Sequence, residues 1–194
     1  MPKVAPPEEL LDYSEIIKQT LKDDHLSPSI KSMLKYNFKE IPTAFVRVFE
    51  FRPVDRDMYL KCCKEDCDVQ PKTMMWLRAK ENIVLFVLQG DDPRLHQCVA
   101  AYISDCTMLE TAIRPHSIRG FIPSMAFSLD HCIWIHNSNF RVDDWMLYEN
   151  ISPIARGSRG FIEGRLWTRD GKLILSSTQE GLIRSSGKPK NDSQ

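Results

Sequence analysis

Two side chains of this sequence stand where a polar group is costly. Asp105 closes the segment Asp92-Pro93-Arg94-Leu95-His96-Gln97-Cys98-Val99-Ala100-Ala101-Tyr102-Ile103-Ser104. A carboxylate at the rim of an apolar stripe is either a hydrogen-bonded structural acid or a working one, and the helix alone leaves both readings open. Gln179 shares one side of an alternating run with Leu173, Leu175, Ser177 and Gly181, so its amide lies in line with buried positions and is expensive unless hydrogen-bonded. A third group, Ser128-Leu129-Asp130-His131, invites a Ser-His-Asp nucleophile. Adjacent strand residues face opposite sides, however, so Asp130 and His131 cannot both meet Ser128. His96, His131 and His136 are read as structural hydrogen-bonders. Cys62, Cys63 and Cys67 lie close together, but no second ligand cluster follows at zinc-site spacing, and no metal is expected.

Periodicity names the elements that must carry these groups. Asp92 suits a helix N-cap and Pro93 the first helical position. Leu95, Cys98, Val99, Tyr102, Ile103 and Cys106 then recur at i, i+3, i+4, i+7, i+8 and i+11, which predicts one buried helical face with Asp105 beside it. On that face Cys98 and Cys106 read as small buried hydrophobes. Upstream, residues 45–51 predict a first strand closed by Arg52-Pro53, 74–79 another extended run, and 83–88 an apolar run leading into the helix. Downstream, 125–135, 145–150 and 160–168 are extended. Asp170-Gly171 predicts a two-residue type I′ hairpin into a last strand over 172–184. Trp134, Trp145 and Trp167 read first as core residues.

Residues 1–43 are expected to form an N-terminal helical extension, with one helix over 8–21 and a second short one through Ile30, Met33 and Leu34. Residues 44–186 are expected to form one folded domain, and 187–194 a flexible tail. A long helix followed by a run of antiparallel strands is an α+β arrangement in which the sheet wraps the helix.

The 194 residues carry 26 basic and 26 acidic side chains, a formal net charge of zero, and are 42% hydrophobic. That balance gives no electrostatic reason to expect a nucleic-acid or membrane partner. No apolar run approaches the ~20 residues of a membrane span. The first nine residues lack the apolar core of a signal peptide, so an intracellular protein with reduced cysteines is expected.

Four blocks carry a resemblance. Asp92-Pro93-Arg94-Leu95-His96-Gln97-Cys98 with Ala101-Tyr102-Ile103-Ser104-Asp105, then Ser128-Leu129-Asp130-His131, then Ser152-Pro153 with Arg159-Gly160, and Gln179-Glu180-Gly181-Leu182-Ile183-Arg184 occur in this order. Together they resemble the acyl-CoA thioesterase II family over about residues 44–184. The resemblance implies a hotdog fold, an antiparallel sheet wrapped around one long central helix. Family members are usually double hotdogs, and this sequence resembles the second domain with the linker before it. The resemblance also implies a catalytic set of Asp105, Ser128 and Gln179 that positions a water for direct attack on a fatty acyl-CoA thioester, with no cofactor and no covalent intermediate. One of the tryptophans would then line an acyl tunnel.

Three departures from the family pattern shape the expectations. The first hotdog is missing, so a homodimer or a heterodimer with a related hotdog subunit is expected, because an unpaired sheet edge is an association hazard. The family's Phe-His-Arg-Pro-Phe-Arg stretch stands here as Ile135-His136-Asn137-Ser138-Asn139-Phe140-Arg141, without the proline and one residue longer. The sequence ends Asn191-Asp192-Ser193-Gln194 rather than Ser-Lys-Leu, so the expected location is cytoplasmic, or peroxisomal by another route. The rival from another class is a non-catalytic partner subunit of a full-length thioesterase. A hotdog hydratase is weaker, since no Asp and His are paired for proton transfer to a double bond.

Overall fold

The computed structural model describes residues 1–24, 31, 47–56, 70–80, 92–117, 121 and 123–185. Seven strands among them form one antiparallel sheet: β1 (Phe49–Pro53), β2 (Lys72–Ala79), β3 (Met125–Ser128), β4 (Cys132–Ile135), β5 (Met146–Arg156), β6 (Arg159–Thr168) and β7 (Leu173–Arg184). Their order is β1-β2-β5-β6-β7-β3, and β4 also pairs with β7. Among the described residues a 3-10 turn (Pro7–Glu9) and three α-helices accompany them: α1 (Tyr13–Leu21), α2 (Pro93–Ser104) and α3 (Met108–Ser117). Asp12 caps α1 through Ser14 N–H, and Asp92 caps α2 through Arg94 N–H, each satisfying a donor the helix cannot.

The curled sheet holds α2 and α3 against its inner face, the arrangement expected of a hotdog. Leu77, Met146, Tyr148, Ile162, Leu166 and Leu175 meet Ala100 and Ile103 of α2 and Met108 and Ala112 of α3 in one core. The central helix comes in two pieces, with the chain turning at residues 105–107.

The buried face of α2 is not the apolar stripe expected. His96, Ala100, Ile103 and Ser104 are buried, Leu95 and Val99 partly so, whereas Cys98 and Cys106 are exposed and Tyr102 is 61% exposed. The helix is rotated because two polar residues find partners inside. Val142 N–H donates to His96 Nδ1 at 3.2 Å, and the Ser104 hydroxyl meets His131 Nε2 at 2.8 Å. A paired polar group is no longer costly to bury.

Other expectations shift in smaller ways. β1 begins at Phe49, after a helical turn at residues 47–48. The residue 125–135 run is two strands. Asp170 does not take positive φ, so the last hairpin is not type I′. Gly171 N–H donates to Thr168 O at 3.0 Å and only Gly171 (φ 89°) is left-handed, which is a three-residue loop built on a type I turn. The two-residue turn with positive φ at both centres lies instead at Gly157 (62°) and Ser158 (63°), between the paired Arg156 and Arg159. The cysteine cluster at 62–67, the apolar run at 83–88, the second short helix apart from Lys31, and the tail from residue 186 lie outside the described residues. Among the described residues no helix is long and apolar enough to cross a membrane.

The N-terminal residues lie along the outer face of the sheet. Trp76 Nε1 donates to Ala5 O at 2.9 Å, Arg52 donates to Pro7 O at 2.7 Å, and Arg169 meets the Glu8 carboxylate through both terminal nitrogens. Beneath them Trp76, Trp145 and Leu147 form a second cluster with Val4, Leu10, Val54, Met74 and Trp167. Trp134, expected in the core, is on β4 and 52% exposed.

Candidate active site

Asp105 is the C-cap of α2, and the chain passes within three residues into α3. Two glycines decide where that turn lies. Gly160 and Gly181 are cross-strand partners on β6 and β7, and they leave a notch in the inner face. A Cβ on Gly160 would stand 2.8 Å from Ala112 Cβ, and one on Gly181 would collide with Leu109. Bare backbone there lets α3 lie directly on the sheet. Gln179 faces the same way two residues before Gly181, and so comes beneath the α2–α3 turn.

A second close approach anchors both flanks of Asp105. Gly164 leaves room for Tyr148, Asn150 and Ser177, all of which a Cβ there would strike. Tyr148 donates to Ser104 O at 2.5 Å, and Asn150 Nδ2 donates to Thr107 Oγ1 at 2.8 Å. Desolvation pushes the Tyr148 phenol up, which keeps it a donor. The residues on either side of Asp105-Cys106 are thus tied to β5. Desolvation and the neighbouring Asp105 charge also push the Cys106 thiol up to about 12, although the residue as a whole is exposed. It is a thiol, not a thiolate nucleophile.

Ser128 reaches the site through an irregularity between β3 and β4. Ser128 pairs with Gly181 and Cys132 with Thr178, so the β3–β4 side takes four steps where β7 takes three. The extra residue is a bulge. Leu129 N–H donates to Glu180 O at 2.8 Å, and Glu180 N–H donates to the Asp130 carboxylate at 2.9 Å, where a ladder carbonyl would otherwise stand. The bulge resets the alternation. Ser128 and His131, three residues apart, both face Gln179, while Asp130 is spent on the backbone of β7.

Asp105, Ser128 and Gln179 therefore meet. Gln179, with no exposed surface, donates from Nε2 to Asp105 Oδ1 at 2.9 Å and to Ser128 Oγ. The Ser128 hydroxyl points to the same Oδ1 at a long 3.5 Å. Asp105 and Ser128 are exposed, and among the described residues Asp105 Oδ2 accepts no hydrogen bond. A buried amide thus holds an open carboxylate by one oxygen and leaves the other free to take a proton. Ser128 has no hydrogen bond to His131, whose partners are Gln179 Oε1 (3.1 Å) and Ser104 Oγ (2.8 Å). A serine nucleophile with a histidine base is not assembled here. His136 bonds Ser176 Oγ at 2.7 Å, away from this cluster.

Sequence reasoning missed the supports: Tyr148, Asn150, Thr107 and the glycine notch. Asn150 offered a signal, an amide at a buried strand position, of the same kind that pointed to Gln179.

A family model described as acyl-CoA thioesterase matches residues 67–182. Acyl-coenzyme A thioesterase 8 of Rattus norvegicus is 42% identical over 186 residues, covering 95% of this chain and 53% of the relative. Acyl-CoA thioesterase 2 of Haemophilus influenzae is 37% identical over 111 residues, covering 55% of this chain and 38% of the relative. Among solved structures, the acyl-CoA thioesterase II TesB2 from Mycobacterium marinum superposes with a TM-score of 0.64 at 28% identity, covering 97% of this chain and 57% of that one. A protein with a hot dog fold from Alicyclobacillus acidocaldarius gives 0.54 at 12% identity, covering 96% of this chain and 55% of that one, a likeness of fold alone. The chain spans about half the length of the curated relatives it matches. The family match runs from before α2 to Leu182 and takes in Asp105, Ser128 and Gln179, and the chain belongs to the acyl-CoA thioesterase family.

Proposed function

We propose that this chain hydrolyses fatty acyl-CoA to free fatty acid and coenzyme A, by direct attack of a water held between Asp105, Ser128 and Gln179. The observation that carries the reading is the meeting of an exposed carboxylate, an exposed hydroxyl and a buried amide from three separate elements. Asp105 Oδ2 takes a proton from the water as its oxygen bonds to the thioester carbonyl carbon. The tetrahedral oxyanion collapses, the C–S bond breaks, and the proton on Asp105 passes to the coenzyme A sulfur. Holding the nucleophile turns an encounter into a near-unimolecular step, and general-base help adds roughly 10²- to 10⁴-fold. A backbone N–H at the start of α3 is the donor this reading assigns to the oxyanion, a contact worth about 3 to 4 kcal/mol at comparable sites.

A second hotdog, as a copy of this chain or a related subunit, completes the assembly. Met125 and Phe127 on β3, Leu129 in the bulge, and Trp134 and Ile135 on β4 are all more than 40% exposed, and exposed apolar side chains at a sheet edge are the surface this reading assigns to the interface. Ser128 lies beside it on β3, turned inward to Gln179.

The test is release of free thiol from a panel of acyl-CoAs by purified protein, with Asp105→Asn at matched dimer content. The expected result is turnover that falls at least about 10²-fold in the variant. Folded, dimeric wild-type protein that releases no thiol at any chain length would overturn the enzyme reading and leave the non-catalytic partner subunit in its place.

A further inference from the structure

We infer that His131 is a positioning residue that sets the orientation of the Gln179 amide by donating a hydrogen bond from Nδ1 to Oε1. This rests on the proposed hydrolytic reading of the Asp105 site and adds a residue to it.

Proton accounting carries the argument. An ionised Asp105 carboxylate only accepts, so the Gln179 atom 2.9 Å from it must be the amide nitrogen. The amide oxygen then faces His131 Nδ1 at 3.1 Å. An amide oxygen only accepts, so Nδ1 carries a hydrogen. In a neutral ring Nε2 is then an acceptor, and its partner must donate. That partner is the Ser104 hydroxyl at 2.8 Å, whose single hydrogen has a second acceptor in Ala101 O at 2.7 Å. Ser104 turns its hydrogen to the ring when His131 is neutral. It turns to Ala101 O when the ring is charged and Nε2–H donates instead. In both states the Nδ1–H faces Gln179.

The consequence runs outward to the open groups. With Oε1 held, both amide hydrogens of Gln179 are directed at Asp105 Oδ1 and Ser128 Oγ. An amide turned by half a rotation would set its oxygen against the carboxylate and leave the free Oδ2 without a fixed direction. Gln179 is fully buried, so water cannot supply a replacement donor cheaply. The bulge at Leu129-Asp130 is what brings the ring to this side.

Two substitutions separate orienting Gln179 from merely tying β4 to α2. In His131→Asn the side-chain amide nitrogen falls near the place of Nδ1 and keeps the donor to Gln179. In His131→Gln the terminal nitrogen falls near Nε2, keeps the Ser104 contact and loses the donor. The expected result is that kcat of His131→Asn stays within about threefold of wild type while that of His131→Gln falls about tenfold or more, with KM changed much less. Equal activity of the two variants, whether both high or both low, or the reverse order, overturns the inference. A readout free of both turnover and substitution is the ¹⁵N spectrum of the wild-type ring. The inference requires a protonated Nδ1 at neutral pH, and a neutral ring protonated only at Nε2 overturns it. If wild-type protein releases no thiol, the hydrolytic reading fails by itself while the ring spectrum still decides the hydrogen bond.

Discussion

The outer face of the sheet has two ends that are treated differently. Over β1, β2, β5 and β6 the chain covers its own apolar surface: Trp76 is 3% exposed, Trp145 8% and Leu147 not at all, under Val4 and Leu10. At the β3–β4 end Phe127 is 55% exposed and Trp134 52%, with none of the described residues laid over them. Arg52 and Arg78 stack their guanidinium groups on the Trp145 ring at 4.9 and 4.5 Å, sealing the covered end further. The covered end is finished within one chain, and the bare end is where Ser128 stands. The difference teaches that one end of the sheet is sealed by the protein's own N-terminal residues, while the other keeps its apolar side chains exposed.

Substitutions sharpen that division, and the largest effect belongs to the covered end. Trp76→Ala is expected to cost about 3 to 5 kcal/mol in urea unfolding, because it empties a buried site and removes the bond to Ala5 O. A cost below about 1 kcal/mol would show that the N-terminal cover does not hold the sheet. Next comes Glu110, half-buried on α3 near Tyr13 of the N-terminal helix. Desolvation raises its carboxyl from 4.5 to about 6, opposed by Arg114. A raised folded-state value means stability is full below about pH 4.5 and is lost as pH rises through about 6. Glu110→Gln should therefore stabilise the protein at pH 7 to 8 by less than about 2 kcal/mol and leave it unchanged at pH 4, read as Tm against pH. The smallest effect on folding is expected at the bare end. Phe127→Ser should alter stability by no more than about 0.5 kcal/mol, yet weaken self-association about tenfold or more in sedimentation. A large loss of monomer stability there would erase the distinction between the two ends.

Gln179 was legible because it is a polar group where alternation demands an apolar one, and Asp105 because a carboxylate closes the segment at the rim of an apolar stripe. Ser128 was legible only through its neighbours in a recognised block, since a serine on a strand carries no such conflict. The face of α2 was misread because hydropathy counts Tyr102 and Cys98 as inward and His96 and Ser104 as outward. Burial followed hydrogen-bond partners on Val142 and His131, which belong to distant segments. His131 escaped for a related reason. Strict alternation sets it on the opposite side from Ser128, and the extra residue that reverses this exists only relative to the register of β7. Asp170-Gly171 gave the position of a hairpin but not its type, because Gly171 alone supplies the left-handed residue that a three-residue loop needs.

The N-terminal cover also sets an order in time. Trp76 reaches back 71 residues to Ala5, and Arg169 reaches back 161 residues to Glu8. At roughly 5 to 20 residues per second of synthesis, on the order of 10 to 30 s separate the cover from the hairpin that receives it. The segment made early is therefore fully seated only after a 161-residue separation has been closed. Until those contacts close, the cluster of Trp76, Trp145 and Leu147 lacks its full cover, and the growing chain is expected to expose it.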